Sequence, residues 1–132
     1  MSVLVGYLPT PEGDAAFETG VLEAALRSTR LVVLNSPHQG APVDAAMADE
    51  TRLRAMSEKA AAAGVEVELL QTPHHEDPVE TLLTTATTVD AILIVIGLRR
   101  RSPVGKLFMG STAQRLLLAS DLPVLSVKSG VS

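Results

Sequence analysis

The chain has 132 residues, a net charge of -4, no cysteine, and three aromatic residues (Tyr7 and two phenylalanines). This length suggests one domain able to bury a core without staples, and the missing cysteines exclude disulfides and thiolate metal sites. The acidic balance and scarce aromatics argue against nucleic-acid binding, which needs a basic face and stacking surface. "MSVLVGYLPT" lacks the basic segment and long apolar run of a signal peptide, and no apolar run reaches the roughly 18 residues of a membrane span, so a cytoplasmic location is expected.

In chain order, "SVLVGY" (2–7) reads as a buried strand. Thr10 and Pro11 form an N-cap and first-turn pair for a helix. Its apolar side is expected to carry Ala16, Phe17, Val21, Leu22, Ala25 and Leu26. "RLVVLN" (30–35) is a second strand, and "SPHQGAP" a turn-rich loop. Residues 43–63, rich in Ala, Met, Arg and Glu, predict a long helix ended by Gly64, with Met47 and Met56 as core or interface fill. "VEVELL" (65–70) alternates, as a strand nearer a sheet edge does. Asp77, Pro78 and Glu80 supply an N-cap, an N1 proline and a capping-box partner for a helix to about Thr88. "AILIVI" (91–96) is the most apolar strand. A helix over 111–119 and a last strand, "PVLSVK" (123–128), complete the chain. Alternating strands and helices imply a parallel sheet covered on both faces, with right-handed crossovers. Ligands of such sheets bind beyond the strands' carboxyl ends, where strand order reverses. The loops at 7–12, 35–42 and 97–110 leave such ends.

One of these loops concentrates charge. Arg99, Arg100, Arg101 and Lys106 are four of the eleven basic residues, and after Glu80 the only acids are Asp90 and Asp121. A local cluster suits one small anion better than a long polyanion. Gly110 precedes the helix at Ser111 or Thr112, whose first amides and dipole favour an anion. Gly97 lets the chain turn away from the cleft, and the arginines offer forked donors to phosphate. The same residues have a plain structural reading: Ser111 with Gln114 is a capping box, and the arginines form a solvated loop. The P-loop pattern fails, because Leu107 follows Gly105-Lys106 and Arg100 stands where its first glycine belongs. No G-x-G-x-x-G follows the first strand, so a dinucleotide fingerprint is absent. "HHED" (74–77) reads as a polar loop rather than a metal site: the two histidines are adjacent and Asp77 is spent on its helix. His38 reads as a solvated loop residue. Ser111 has no evident base in its own motif to make it a nucleophile.

Gly97, Gly110 and Ser111, with "LIVIG" and "LLASDLPVLSVK" around them, resemble the universal stress protein family, whose signature after the fourth strand is G-x2-G-x9-G-[ST]. The resemblance runs the full chain in element order and length. It implies an α/β fold of the Rossmann-like, adenine nucleotide alpha hydrolase-like kind: five parallel strands in order 3-2-1-4-5, helices on both faces. It also implies a homodimer and, in some members, bound ATP. Carried over by position, phosphate and ribose contacts fall on Ile96, Gly97, Arg99, Arg100, Gly110, Ser111 and Thr112, and the adenine side on Gly6, Tyr7 and Ser36, mainly through backbone groups. Two positions depart from the pattern. Arg100 replaces the second motif glycine, and Leu8 stands where ATP-binding members usually have aspartate. The expected function is a non-enzymatic regulatory protein that binds ATP, another adenine nucleotide or a small phosphate anion. The alternative is a dimeric interaction module without nucleotide, and a third reading is a weak nucleotide hydrolase. The last strand, apolar at Val124, Leu125 and Val127 and guarded only by Pro123 and Lys128, is the expected dimer edge. Neither nucleic acid, membrane nor metal is expected as a partner.

Overall fold

A computed structural model describes residues 1–35, 49–71, 77–98 and 111–129. The elements are β1 (Ser2–Tyr7), α1 (Pro11–Leu26), β2 (Arg30–Asn35), α2 (Glu50–Ala62), β3 (Val67–Gln71), α3 (Pro78–Thr88), β4 (Ala91–Leu98), α4 (Ser111–Ala119) and β5 (Val124–Lys128). The strands form one parallel sheet in the order β3-β2-β1-β4-β5. This is the expected architecture. β1 is buried on both faces, so its side chains alternate between two cores rather than between core and water. Val3, Val5 and Tyr7 pack with α1 and α2, whereas Leu4 packs with α3 and α4. Outer strands β3 and β5 alternate partly buried with exposed positions, as edges do.

Local chemistry sets the helix ends. Thr10 is extended, and its hydroxyl accepts from the Gly13 amide at 3.0 Å, with Pro11 in the first turn. At the far end of α2, Gly64 takes φ +75°. Its amide donates to the Ala61 carbonyl at 3.0 Å and that of Val65 to Ala60 at 2.9 Å, the paired bonds of a left-handed helix stop. This stop consumes Val65 and Glu66 as a connector, so β3 begins at Val67 rather than 65. α1 ends in the same way on Ser28, a non-glycine at φ 53°.

Two expectations are corrected. First, α2 does not run from residue 43. Asp49 is extended and caps it, its carboxylate accepting from the Arg52 amide at 2.8 Å, so the helix starts at Glu50. The rest of that stretch, 43–48 with Met47, lies outside the described residues. Second, α1 does not bury Leu22, Ala25 and Leu26, which are exposed. Its inner face is Gly13, Ala16, Phe17, Gly20, Val21 and Ala24. Close backbone approach decides this. A Cβ on Gly20 would lie 2.4 Å from Val5 Cγ2, so the small residues, not the leucines, meet the sheet.

Candidate functional site

The carboxyl ends of β1 and β4 lie side by side, with Gly6 in register with Ile96. β1 is where strand order reverses: β2 and β3 lie to one side of it, β4 and β5 to the other. The turn from β1 into α1 and the start of α4 flank this end of the sheet, and the segment joining β4 to α4 spans Leu98 to Ser111.

Of the residues singled out in the sequence, Gly6, Tyr7, Ile96 and Gly97 are brought together here by β1 and β4. Thr112 lies in the first turn of α4, half-buried, and Ser111 begins that helix, though its side chain lies outside the described residues. Ser36, Arg99, Arg100 and Gly110 also lie outside the described residues, as do His38, His74 and His75. The four clustered residues each have a packing role. A Cβ on Gly6 would sit 3.3 Å from both Leu82 methyls and 3.4 Å from Ile96 Cγ2. Ile96 is buried in the α3–α4 core. A Cβ on Gly97 would fall 2.3 Å from the Glu12 carbonyl oxygen and 2.6 Å from its carbon. Gly97 is thus the place where the first turn of α1 rests on β4.

Tyr7 points away from the cleft, into the α1–α2 core, and is 1% exposed. Its hydroxyl donates to Asp14 Oδ1 at 2.7 Å. Arg52 Nη1 donates to the Tyr7 hydroxyl at 3.0 Å and to Asp14 Oδ1 and Oδ2 at 3.1 and 3.0 Å. Burial, and then the hydrogen bond to the Asp14 carboxylate, push the phenol up to about 12, with Arg52 opposing them. Arg52 is held firmly protonated, chiefly by its bond to Tyr7. The Tyr7 carbonyl accepts from Asn35 Nδ2 at 3.0 Å, and Gln71 Nε2 donates to Asn35 Oδ1 at 3.2 Å. A polar chain therefore ties the carboxyl ends of β1, β2 and β3.

On the other face, Arg115 Nη2 donates to Asp77 Oδ2 at 2.7 Å, joining α4 to the cap of α3. This bond holds the Asp77 carboxyl below its usual range. Asp77 was legible as a cap, and its Oδ1 does accept from the Val79 amide at 3.0 Å; its arginine partner was not. A groove of 510 Å³ between α1 and α2 is lined by Asp14, Glu18, Arg52 and Lys59 around Phe17 and Met56. These charges are already engaged, as Asp14–Arg52 and Glu18–Lys59 pairs. Among the described residues no three His, Cys, Asp or Glu side chains converge as metal ligands, and no helix is long and apolar enough to cross a membrane.

Residues 1–128 match the model of the Universal stress protein family. The chain is 45% identical over 126 residues to a universal stress protein of Mycolicibacterium smegmatis, covering 96% of each. Its fold superposes with a TM-score of 0.76 on a universal stress protein from Archaeoglobus fulgidus, 28% identical, covering 96% of this chain and 97% of that one. A universal stress protein from the same organism solved in complex with dAMP has a TM-score of 0.72 and 23% identity, covering 96% of each chain. The match along nearly the whole chain, together with the five-stranded order built around β1, shows that this protein belongs to the universal stress protein family.

Proposed function

We propose that this chain is a regulatory member of its family that binds an adenine nucleotide, or a related phosphate anion, at the carboxyl ends of β1 and β4, without appreciable catalysis. One observation carries the reading: the glycine–arginine segment 97–111 connects the end of a central strand to the start of a helix, at the place where strand order reverses. The unpartnered amides at a helix start and the basic side chains of this segment suit a phosphate. The dAMP bound by the Archaeoglobus relative agrees with this choice of ligand. In this reading the adenine side is built from Gly6, Tyr7 and Ser36, mainly through their backbone groups. The phosphate and ribose side is built from Ile96, Gly97, Arg99, Arg100, Gly110, Ser111 and Thr112. Native mass spectrometry of the purified protein tests it: a retained adenine nucleotide supports the proposal. A bare protein that also gains no mass with added ATP leaves the interaction-module reading, which Leu8 and Arg100 favour.

Assembly belongs to the same proposal. β5 is an edge strand, and Leu125 is 36% exposed on it. An apolar edge is a template for a second chain, and antiparallel self-pairing about a two-fold axis closes the assembly. The expected species is a homodimer at micromolar concentration, with Val124, Leu125 and Val127 at the junction. The Pro123 carbonyl accepts from the Ile94 amide, so in this parallel register the Leu125 amide faces β4 and the Ser126 amide faces the free edge. Ser126→Pro removes an outward donor and is expected to give a folded monomer in sedimentation equilibrium. A wild-type monomer, or a folded variant that stays dimeric, excludes this strand.

A further inference from the structure

The turn leaving β1 is held from two directions. On one side Gly97 of β4 meets the Glu12 carbonyl so closely that no Cβ fits. On the other, three side chains from three elements close a triangle: Tyr7 from the end of β1, Asp14 from the first turn of α1, and Arg52 from the first turns of α2. Between these holds the turn is internally bonded. The Thr10 amide donates to Leu8 O at 2.8 Å, the Gly13 amide to Thr10 Oγ1 at 3.0 Å and the Asp14 amide to Thr10 O at 2.9 Å. Past this turn α1 is packed on β4 through the core that holds Phe17 and Val95, so the two outer contacts act on the turn itself.

We infer that the Tyr7–Asp14–Arg52 triangle is a positioning device for the cleft, and that Arg52 controls ligand affinity without touching the ligand. The inference rests on the nucleotide reading above. Arg52 is the one member from outside the β1–α1 unit, and it ties the first turn of α1 to α2, one turn ahead of the Glu18–Lys59 pair. The tie is charge-assisted and reaches both carboxylate oxygens, which gives it direction as well as strength. The Tyr7 hydroxyl is almost fully buried, so losing its donor or acceptor exposes the cost of an unpaired buried group. Without Arg52 the turn keeps its own bonds but samples more than one position over β4. A ligand that needs one of those positions then binds with its affinity reduced by the fraction of time spent there. Couplings of this kind, carried by residues with no ligand contact, shift affinity by roughly 2- to 30-fold.

The experiment uses the full chain and three variants: Arg52→Met, Arg52→Lys and Tyr7→Phe. Calorimetric titration with ATP gives affinity, and amide hydrogen exchange without ligand reports the turn. The expected result is about tenfold weaker ATP binding by Arg52→Met. Arg52→Lys is expected to recover part of it: all three bonds come from Nη1, and an ammonium keeps the charge and the donors but sits on a shorter side chain. Exchange is expected to rise at residues 8–14 and to stay unchanged in α3. If Arg52→Met does not fold, Tyr7→Phe carries the test, with a smaller loss of the same sign. A wild type that binds ATP with variants that bind it equally overturns the triangle and leaves the nucleotide reading standing. A wild type that binds no adenine nucleotide at millimolar ligand removes both.

Discussion

Replacing Gly97 with alanine separates two roles that this glycine has in sequence and in structure. The glycine belongs to the family motif, which assigns it to ligand; the fold assigns it to the contact between β4 and α1. A Cβ there would lie 2.3 Å from the Glu12 carbonyl oxygen, and real Cβ atoms do not come nearer than 3.0 Å. The obstructing atoms are backbone, in the first turn of α1, and cannot rotate aside. The turn or the strand must therefore retreat by about 0.7 Å or more, an overpacking strain of the class that costs about 1–3 kcal/mol. Retreat also opens the interface around it, where Phe17 and Val95 belong to one core. Gly97→Ala, unfolded by urea in the absence of any ligand, is expected to lose about 2 kcal/mol, or roughly 4–10 °C in melting temperature. A ligand-free stability within about 0.3 kcal/mol of wild type would refute the packing argument and return this glycine to the ligand alone.

Ser28 closes α1 in the left-handed region at φ 53°, and Ser28→Gly is expected to stabilise the protein by about 0.5–1 kcal/mol in the same urea assay. Tyr7 is the only tyrosine and there is no tryptophan, so ultraviolet titration reads one phenol. It is expected to ionise near 12, and Asp14→Asn is expected to lower that value by removing the carboxylate bonded to it. Because the folded phenol holds its proton more tightly than the unfolded one, its contribution is complete below about pH 10 and is lost as pH rises towards 12. The loss amounts to at most about 3 kcal/mol. Stability that held constant across that window would contradict the buried triangle. ATP turnover is expected to be negligible, since Leu8 supplies no acid and Asp14 is bound to Arg52. A rate of about one per second or faster would contradict this.

How much of this was legible in the sequence depended on the range of the chemistry involved. Thr10–Pro11, Asp77–Pro78 and Gly64 act on their own neighbours, and the helix ends they signal were legible. Strand order 3-2-1-4-5 came from the family resemblance, and the sheet has it. The buried face of α1 differs from the sequence expectation because apolar periodicity assigns leucines to the core, whereas close contact with the sheet selects Gly13, Gly20 and Ala24. Asp14, Arg52, Asn35 and Gln71 carry no signal in the sequence for a different reason. Each is an ordinary polar residue in its own segment, and its partners lie up to 45 residues away. The motif glycine at 97 was found, but its contact with Glu12 belongs to the packing of α1 on β4 and leaves no trace in spacing.

A phosphate ligand held at the carboxyl ends of β1 and β4 is the central property proposed for this protein. Calorimetric titration with ATP, AMP and cyclic AMP, on protein first refolded from denaturant to strip any bound molecule, addresses it directly. The expected result is saturable heat with at least one of the three, at one site per chain. Gly110→Val is expected to abolish that heat, because the side chain blocks close backbone approach to the phosphate. No heat with any of the three at millimolar concentration, or undiminished heat with Gly110→Val, would contradict it.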